Sequence, residues 1–128
     1  MNTYDIDGVI YFNEEIDGIT PTKCDIIITG RSYEESEETL QMLNSRGIFN
    51  TVYFNNLKFE EKTRESSGLH KAITINSLLS AGFNIKCHFD DDPVQIDIIR
   101  EACPSIKVIY IETPFVEKEN VCHKKQQY

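Results

Sequence analysis

Two aspartates near the start of the chain, Asp5 and Asp7, stand two residues apart, and Gly8 follows them directly. Alternate residues of a strand point to the same side, so a strand ending here would carry both carboxylates out of its end together. Adjacent carboxylates repel, and a hard divalent cation such as Mg²⁺ relieves that repulsion. One could then act as nucleophile and the other as general acid and base, although an ordinary polar turn would explain the same residues.

A second acidic group lies late in the chain, where Asp90, Asp91 and Asp92 follow the segment 85–89. Three adjacent like charges repel without a counter-ion, so a bound metal explains this run better than a solvated turn does. Thr29 follows a run of isoleucines, where a threonine could equally be a strand-favouring residue before a turn.

Apolar, β-branched segments alternate with helical patterns, and this alternation is typical of βαβ units. The sequence therefore predicts an α/β fold of three-layer, Rossmann-like architecture with a mainly parallel, five-stranded sheet. Strands are predicted at 3–6, 25–29, 51–54, 85–89 and 107–111, and helices from Ser32 to Gly47, at 69–81 and at 94–102. Ligands of such sheets bind beyond the carboxyl ends of the strands, where the acidic residues would meet.

The segments between these elements are short. Residues 9–22 predict a small hairpin flap and residues 55–68 a loop, so no cap domain is expected. The helix at 69–81 is predicted from an apolar pattern at helical spacing, formed by Leu69, Ala72, Ile73, Leu78 and Leu79. We expect one domain over residues 1–115, followed by a polar, mobile tail over 116–128.

Composition narrows the class of protein. The 128 residues contain no apolar run near the ~20 residues of a membrane span and no basic-then-apolar start, which predicts a cytoplasmic protein with no membrane partner. The four cysteines lack metal-ligand spacing, and Cys24 and Cys87 are expected to be core residues. The net charge of −8 disfavours non-specific binding to long nucleic acid but not to a small phosphorylated ligand.

Four motifs, in order, resemble those of the haloacid dehalogenase-like (HAD) superfamily, whose members are mostly Mg²⁺-dependent phosphatases. The segments 5–9 (DIDGV) and 26–30 (IIITG) resemble the first two motifs, Lys71 the third, and 87–91 (CHFDD) the fourth. The resemblance implies a HAD-like fold of the small type that lacks a cap domain. It also implies an Mg²⁺-dependent hydrolase of phosphomonoesters that works through an aspartyl-phosphate.

The resemblance further implies a role for each matching residue. Asp5 would be the nucleophile and Asp7 the general acid and base. Thr29 and the amide of Gly30 would hold phosphate oxygens, and Lys71 would supply positive charge, a role for which Lys62 is the rival.

The implied metal ligands are Asp5, the main-chain carbonyl of Asp7, and Asp90. Asp91 would hold a metal-bound water or orient the lysine. Without a cap, the mouth around the site is expected to be open to solvent in a monomer, with the flap as its only wall within the chain. A neighbouring subunit in a homo-oligomer could cover it.

The turn Thr29-Gly30-Arg31 adds a second, more limited resemblance, to the 3′-phosphatase domain of polynucleotide kinase/phosphatases. It implies that the substrate is a nucleotide, a nucleic-acid end or another small phosphorylated metabolite, with Arg31 in contact with it. Arg31, Lys58, Lys62 and Arg64 could form a cationic rim or be scattered surface charges. The alternative to an enzyme is a catalytically silent relative that binds a metal or a partner. A receiver-type signalling domain is disfavoured because its phosphorylated aspartate would follow the third strand, where this chain has Asn55.

Overall fold

A five-stranded sheet forms the centre of the molecule in the computed structural model, which describes residues 1–113. The strands are β1 (Asn2–Tyr4), β2 (Ile26–Ser32), β3 (Val52–Asn55), β4 (Cys87–Asp90) and β5 (Lys107–Tyr110). The α-helices are α1 (Ser36–Ser45), α2 (Arg64–Ser80) and α3 (Pro93–Ala102), and 3₁₀ turns form at Tyr33–Glu35 and Phe59–Glu61. The predicted tail, 116–128, lies outside the described residues.

The sheet runs in the order β3-β2-β1-β4-β5, and each neighbouring pair of strands is parallel. The chain builds outward from β1 to β3 on one side, and α2 then returns it to β4 on the other side of β1. The carboxyl ends of β1 and β4 therefore flank the switch point at which ligands of such sheets bind. The predicted α/β class and Rossmann-like arrangement are confirmed.

Both faces of the sheet are covered. Ile26 and Ile28 of β2 pack in one apolar cluster with residues of α2 and α3, whereas Ile27 packs in a second with Leu43 of α1. This alternation places one helical layer on each side, as the isoleucine run predicts. Among the described residues, no helix has both the length and the apolar character to cross a membrane.

The start of the first helix matches its sequence signal. The Ser32 hydroxyl accepts a hydrogen bond from the Glu34 amide, and the Glu35 carboxylate accepts one from the Ser32 amide. The turn they stabilise is 3₁₀ before α1 begins at Ser36. Gly47 follows the end of α1 with a φ of 76°, a left-handed conformation that glycine adopts without strain.

Helix α2 differs from the prediction. It begins at Arg64 with Thr63 as its N-cap, inside the segment predicted as a loop. Leu69 and Ile73, two apolar residues of the predicted pattern, are 53% and 57% exposed and lie on the outer face of the helix. The buried face carries Ser67, Gly68, Lys71, Ala72, Ile75 and Leu78. Because some of these buried positions are polar, the apolar periodicity of the inner face is not visible in the sequence. Gly68 lets α2 approach α3 closely.

The flap forms a loose hairpin. The amides of Ile19 and Gly18 donate to the carbonyls of Val9 and Ile10, each over 2.7 Å. Val9 and Ile10 are buried, and Asp17 forms a 2.7 Å ion pair with Arg46 beyond the end of α1. The flap is therefore packed against the α1 side of the sheet.

Candidate active site at the switch point

Three acidic side chains converge between β1 and β4. Asp5 directly follows β1, and its amide continues the ladder by donating to the Phe89 carbonyl over 3.0 Å. Asp90 ends β4, and Asp91 follows it. One carboxylate oxygen from each of Asp5, Asp90 and Asp91 lies within 4.8 Å of the others, and all three residues are buried. The sequence predicted this meeting.

Gly8 allows the turn after β1 to lie against the acids. Its φ is 84°, in the left-handed region that favours glycine. A Cβ at this position would lie 1.7 Å from Asp91 Oδ2, so a side chain would collide with the carboxylate. Gly8 therefore serves both the backbone turn and the packing of the two acidic segments.

Lys71, and not its rival Lys62, lies beside the acids. Lys71 Nζ is 3.1 Å from Asp5 Oδ1 and 2.8 Å from Asp90 Oδ2, and its side chain is buried. Lys62 Nζ instead donates to the Gly30 carbonyl over 3.2 Å and pairs with Glu35. Burial lowers the pKa of Lys62, although Glu35 acts in the opposite direction.

Asp90 is held by four donors. Its Oδ1 accepts from the amides of Asp91 and Asp92, and its Oδ2 faces Lys71 Nζ and His88 Nε2. Burial alone would raise the pKa of Asp90, but Lys71 and His88 lower it overall. A carboxylate offers about four lone-pair directions. These donors fix the Asp90 carboxylate beside Lys71, whereas Asp91 lies against Gly8. Asp90 is also one of the three acids whose oxygens lie close enough together to hold a metal ion.

Asp7 lies apart from this acidic cluster and faces Arg31. Arg31 Nε donates to Asp7 Oδ2 over 2.9 Å, and Nη2 donates to Oδ1 over 2.7 Å. Nη1 also donates to the Thr39 hydroxyl. Burial would lower the pKa of Arg31, but Asp7 raises it overall. Arg31, which is expected to contact substrate, thus binds both carboxylate oxygens of Asp7, the expected general acid.

Thr29 and Gly30 form the turn next to the pair of Arg31 and Asp7. Thr29 is fully buried, and its hydroxyl accepts a hydrogen bond from the Arg31 amide over 3.1 Å. The Gly30 carbonyl accepts a hydrogen bond from Lys62 Nζ. The turn that resembles a phosphate-binding motif is therefore fixed by bonds within the chain.

The site residues are more deeply buried than expected. Asp5 is 5% exposed, and Thr29, Lys71 and Asp90 are 0% exposed, so the prediction of an open mouth at these four residues is wrong. The side chain of Asp7 is 34% exposed and marks the accessible edge. The turn at Gly8 lies directly against Asp91.

The predicted cationic rim is largely neutralised. Arg31 pairs with Asp7, Lys62 pairs with Glu35, and Arg64 forms two bonds to Asp92 at 2.6 and 3.0 Å. Lys58 is exposed. The side chains of Glu34, Glu37, Glu38 and Gln41, just before and along α1, line a groove of about 280 Å³.

His88, to which the sequence motifs assign no role, is buried and lies against Asp90. The signal was its position two residues before Asp90, on the same side of β4. Cys24, expected in the core, is exposed because it lies in the turn before β2.

No protein-family model matches this chain, and no curated protein matches it. The fold and the site therefore define a class of protein by themselves: an α/β domain with a buried acidic site at the switch point of a parallel sheet.

Proposed function

We propose that this protein is an Mg²⁺-dependent, HAD-like phosphatase that hydrolyses phosphomonoesters through an aspartyl-phosphate on Asp5. The observation behind the proposal is the buried meeting of Lys71 with Asp5 and Asp90, beside Asp91, at the switch point. Two acids held with one lysine at this position suit an anionic nucleophile whose charge must be balanced when an anionic phosphoryl group arrives.

The donor set fits a hard divalent cation. The site and its edge contain five carboxylates and three cations, so two negative charges are left over. The carboxylates are those of Asp5, Asp7, Asp90, Asp91 and Asp92, and the cations are Lys71, Arg31 and Arg64. Carboxylate oxygens are the ligands that Mg²⁺ prefers. Asp5, Asp90 and Asp91 would hold it with the main-chain carbonyl of Asp7, and Asp90 also orients Lys71.

When bound, Mg²⁺ supplies charge that screens the phosphoryl oxygens. The rest follows from the chain's own residues. An oxygen of Asp5 attacks phosphorus and forms the acyl-phosphate as the bond to the leaving oxygen breaks, and Asp7 gives that oxygen a proton. Asp7 then takes a proton from water, whose oxygen attacks phosphorus and releases phosphate and Asp5. Lys71 balances negative charge beside Asp5 throughout.

Arg31 binds Asp7 through two hydrogen bonds, an arrangement called the fork below. The fork favours a second candidate, a catalytically silent protein that binds a metal or a partner. An aspartate held by both oxygens to a guanidinium is ionised and cannot donate a proton. In the enzyme, the substrate's phosphate would compete for Arg31 and release one oxygen of Asp7. Activity with Mg²⁺ decides between the two candidates.

The charges around the mouth also bear on the substrate. Paired cations and the neighbouring glutamates of α1 offer a polyanion little attraction, so we favour a small phosphorylated metabolite over a nucleic-acid end. The burial of Asp5, Thr29 and Lys71 supports the same choice. A cytoplasmic location and a homo-oligomeric state are parts of this proposal.

The test is phosphate release by purified protein from a panel of phosphorylated metabolites, nucleotides and 3′- and 5′-phosphorylated oligonucleotides, with Mg²⁺ and with EDTA. Asp5→Asn should stay folded and lose turnover because an amide is a poor nucleophile. Asp97→Asn, an identical change at an exposed position of α3, is the matched control. Metal binding by the parent without turnover on any substrate would favour the silent candidate.

A further inference from the structure

A buried histidine lies behind the carboxylate that holds Lys71. His88 Nε2 is 2.9 Å from Asp90 Oδ2. On the other side of the ring, Nδ1 is 2.7 Å from the hydroxyl oxygen of Thr3, the residue that pairs with His88 across β1 and β4. Thr3 and His88 are both 0% exposed. A continuous chain of buried contacts therefore runs from Thr3 through His88, Asp90 and Lys71 to Asp5.

The chemistry of the neighbours fixes the direction of these hydrogen bonds. Burial lowers the pKa of His88 and so favours the neutral ring, although Asp90 acts in the opposite direction. An ionised carboxylate accepts hydrogen bonds only, so Nε2 carries the proton and donates to Asp90. Nδ1 is then an acceptor, and the Thr3 hydroxyl donates to it.

This arrangement matters because Lys71 is shared between two carboxylates. Its Nζ lies 2.8 Å from Asp90 and 3.1 Å from Asp5. The bond from His88 satisfies part of the charge on Asp90 Oδ2 and fixes the plane of that carboxylate. Without it, Asp90 would draw the ammonium away from Asp5, and a displacement of about 1 Å in a reacting site can cost ~10²-fold in rate.

We infer that His88 is a positioning residue, whose Nε2–H bond to Asp90, fixed in turn by Thr3, holds Lys71 in contact with Asp5. The inference rests on the proposed function only for its effect on turnover. The placement of Lys71 belongs to the folded chain and can be measured without substrate.

The direct test observes the Lys71 ammonium group by ¹⁵N NMR, with the signal assigned from Lys71→Arg. Thr3→Val is nearly isosteric and suits a strand, and it removes the donor to Nδ1, whereas Thr3→Ser keeps the hydroxyl. His88→Leu removes the donor to Asp90, and His88→Gln keeps an N–H donor. We expect the parent signal in Thr3→Ser and His88→Gln, and a shifted or broadened signal in Thr3→Val and His88→Leu. An unchanged signal in folded Thr3→Val would overturn the inference.

Turnover gives a second readout. His88→Leu should lower kcat by about 10- to 10²-fold, with little change in KM, and His88→Gln should recover most of the loss. A purely structural role would instead reduce the folded fraction in both variants. Equal kcat losses in the two variants, both folded, would contradict positioning. A parent protein without phosphatase activity overturns the proposed function and leaves the ammonium measurement to decide the inference.

Discussion

Two ion pairs at the site use the same chemistry in opposite surroundings. The side chains of Lys71 and Asp90 are 1% and 0% exposed, and further buried donors complete the shell of Asp90. The side chains of Arg31 and Asp7 are 19% and 34% exposed and form a fork at the mouth. Buried, fully bonded pairs are costly to break, whereas partly exposed pairs exchange partners at low cost. The buried pair therefore suits a fixed part of the site, and the outer pair suits one that a ligand can open.

Removal of the buried cation should give the largest effect. Lys71→Met leaves Asp5 and Asp90 buried beside each other without their lysine, so we expect a loss of ~3–5 kcal/mol in the free energy of unfolding. Denaturant titration at neutral pH measures it. Lys58→Met, the same change at an exposed lysine, should stay within about 0.5 kcal/mol of the parent. A similar, small effect for both variants would contradict the comparison.

The buried pair should also dominate acid sensitivity. The pKa of Asp90 in the folded protein lies below its ordinary value of 3.8, so between the two values the unfolded chain binds a proton that the folded one does not. The stability from this group is complete above pH 3.8 and falls as the pH drops below it. Asp90→Asn should flatten this part of the pH–stability curve. The same acid slope in the parent and in folded Asp90→Asn would show that another group is responsible.

The outer pair should affect turnover more than stability. Arg31→Met should cost about 1 kcal/mol or less in unfolding free energy because the pair is partly hydrated. It should lower kcat, since the substrate's phosphate then lacks the guanidinium that positions it beside Asp7. Arg46→Met, which breaks the flap's pair with Asp17, is the control and should leave kcat unchanged. Equal kcat for Arg31→Met and the parent would remove Arg31 from the mechanism.

Substrate charge should give the smallest effect. With Arg31 and Arg64 already paired, a longer oligonucleotide should not raise kcat/KM above that of a small phosphate ester, and Lys58→Ala should change neither value appreciably. A steady rise in kcat/KM with oligonucleotide length, lost on added salt, would show that the outer pairs open to a polyanion.

The sequence predicts the features that depend on local pattern. The isoleucines of β2 indicate a strand covered on both faces, and Ser32 with Glu35 indicates a helix start. Asp5 and Asp90 fall together because the carboxyl ends of neighbouring parallel strands share one edge.

Features that depend on partners distant in sequence were not predictable in the same way. Lys71 has the bonding capacity for one carboxylate or several, and only the approach of α2 to β1 and β4 shows that it reaches both Asp5 and Asp90. The fork of Arg31 with Asp7 joins residues 24 positions apart, so its distance and orientation depend on the flap. The start of α2 was missed because its inner face carries Ser67 and Lys71 in place of apolar residues.

The central claim is that Asp5 becomes phosphorylated during turnover. The direct measurement is mass spectrometry of protein quenched in acid shortly after mixing with Mg²⁺ and the best substrate, with the modified peptide mapped. We expect one phosphoryl group on Asp5, lost with EDTA, absent in Asp5→Asn and accumulating in Asp7→Asn, where activation of water is slow. Turnover by Asp5→Asn at the parent rate, with no phosphoryl group on the parent's Asp5 peptide, would contradict the claim.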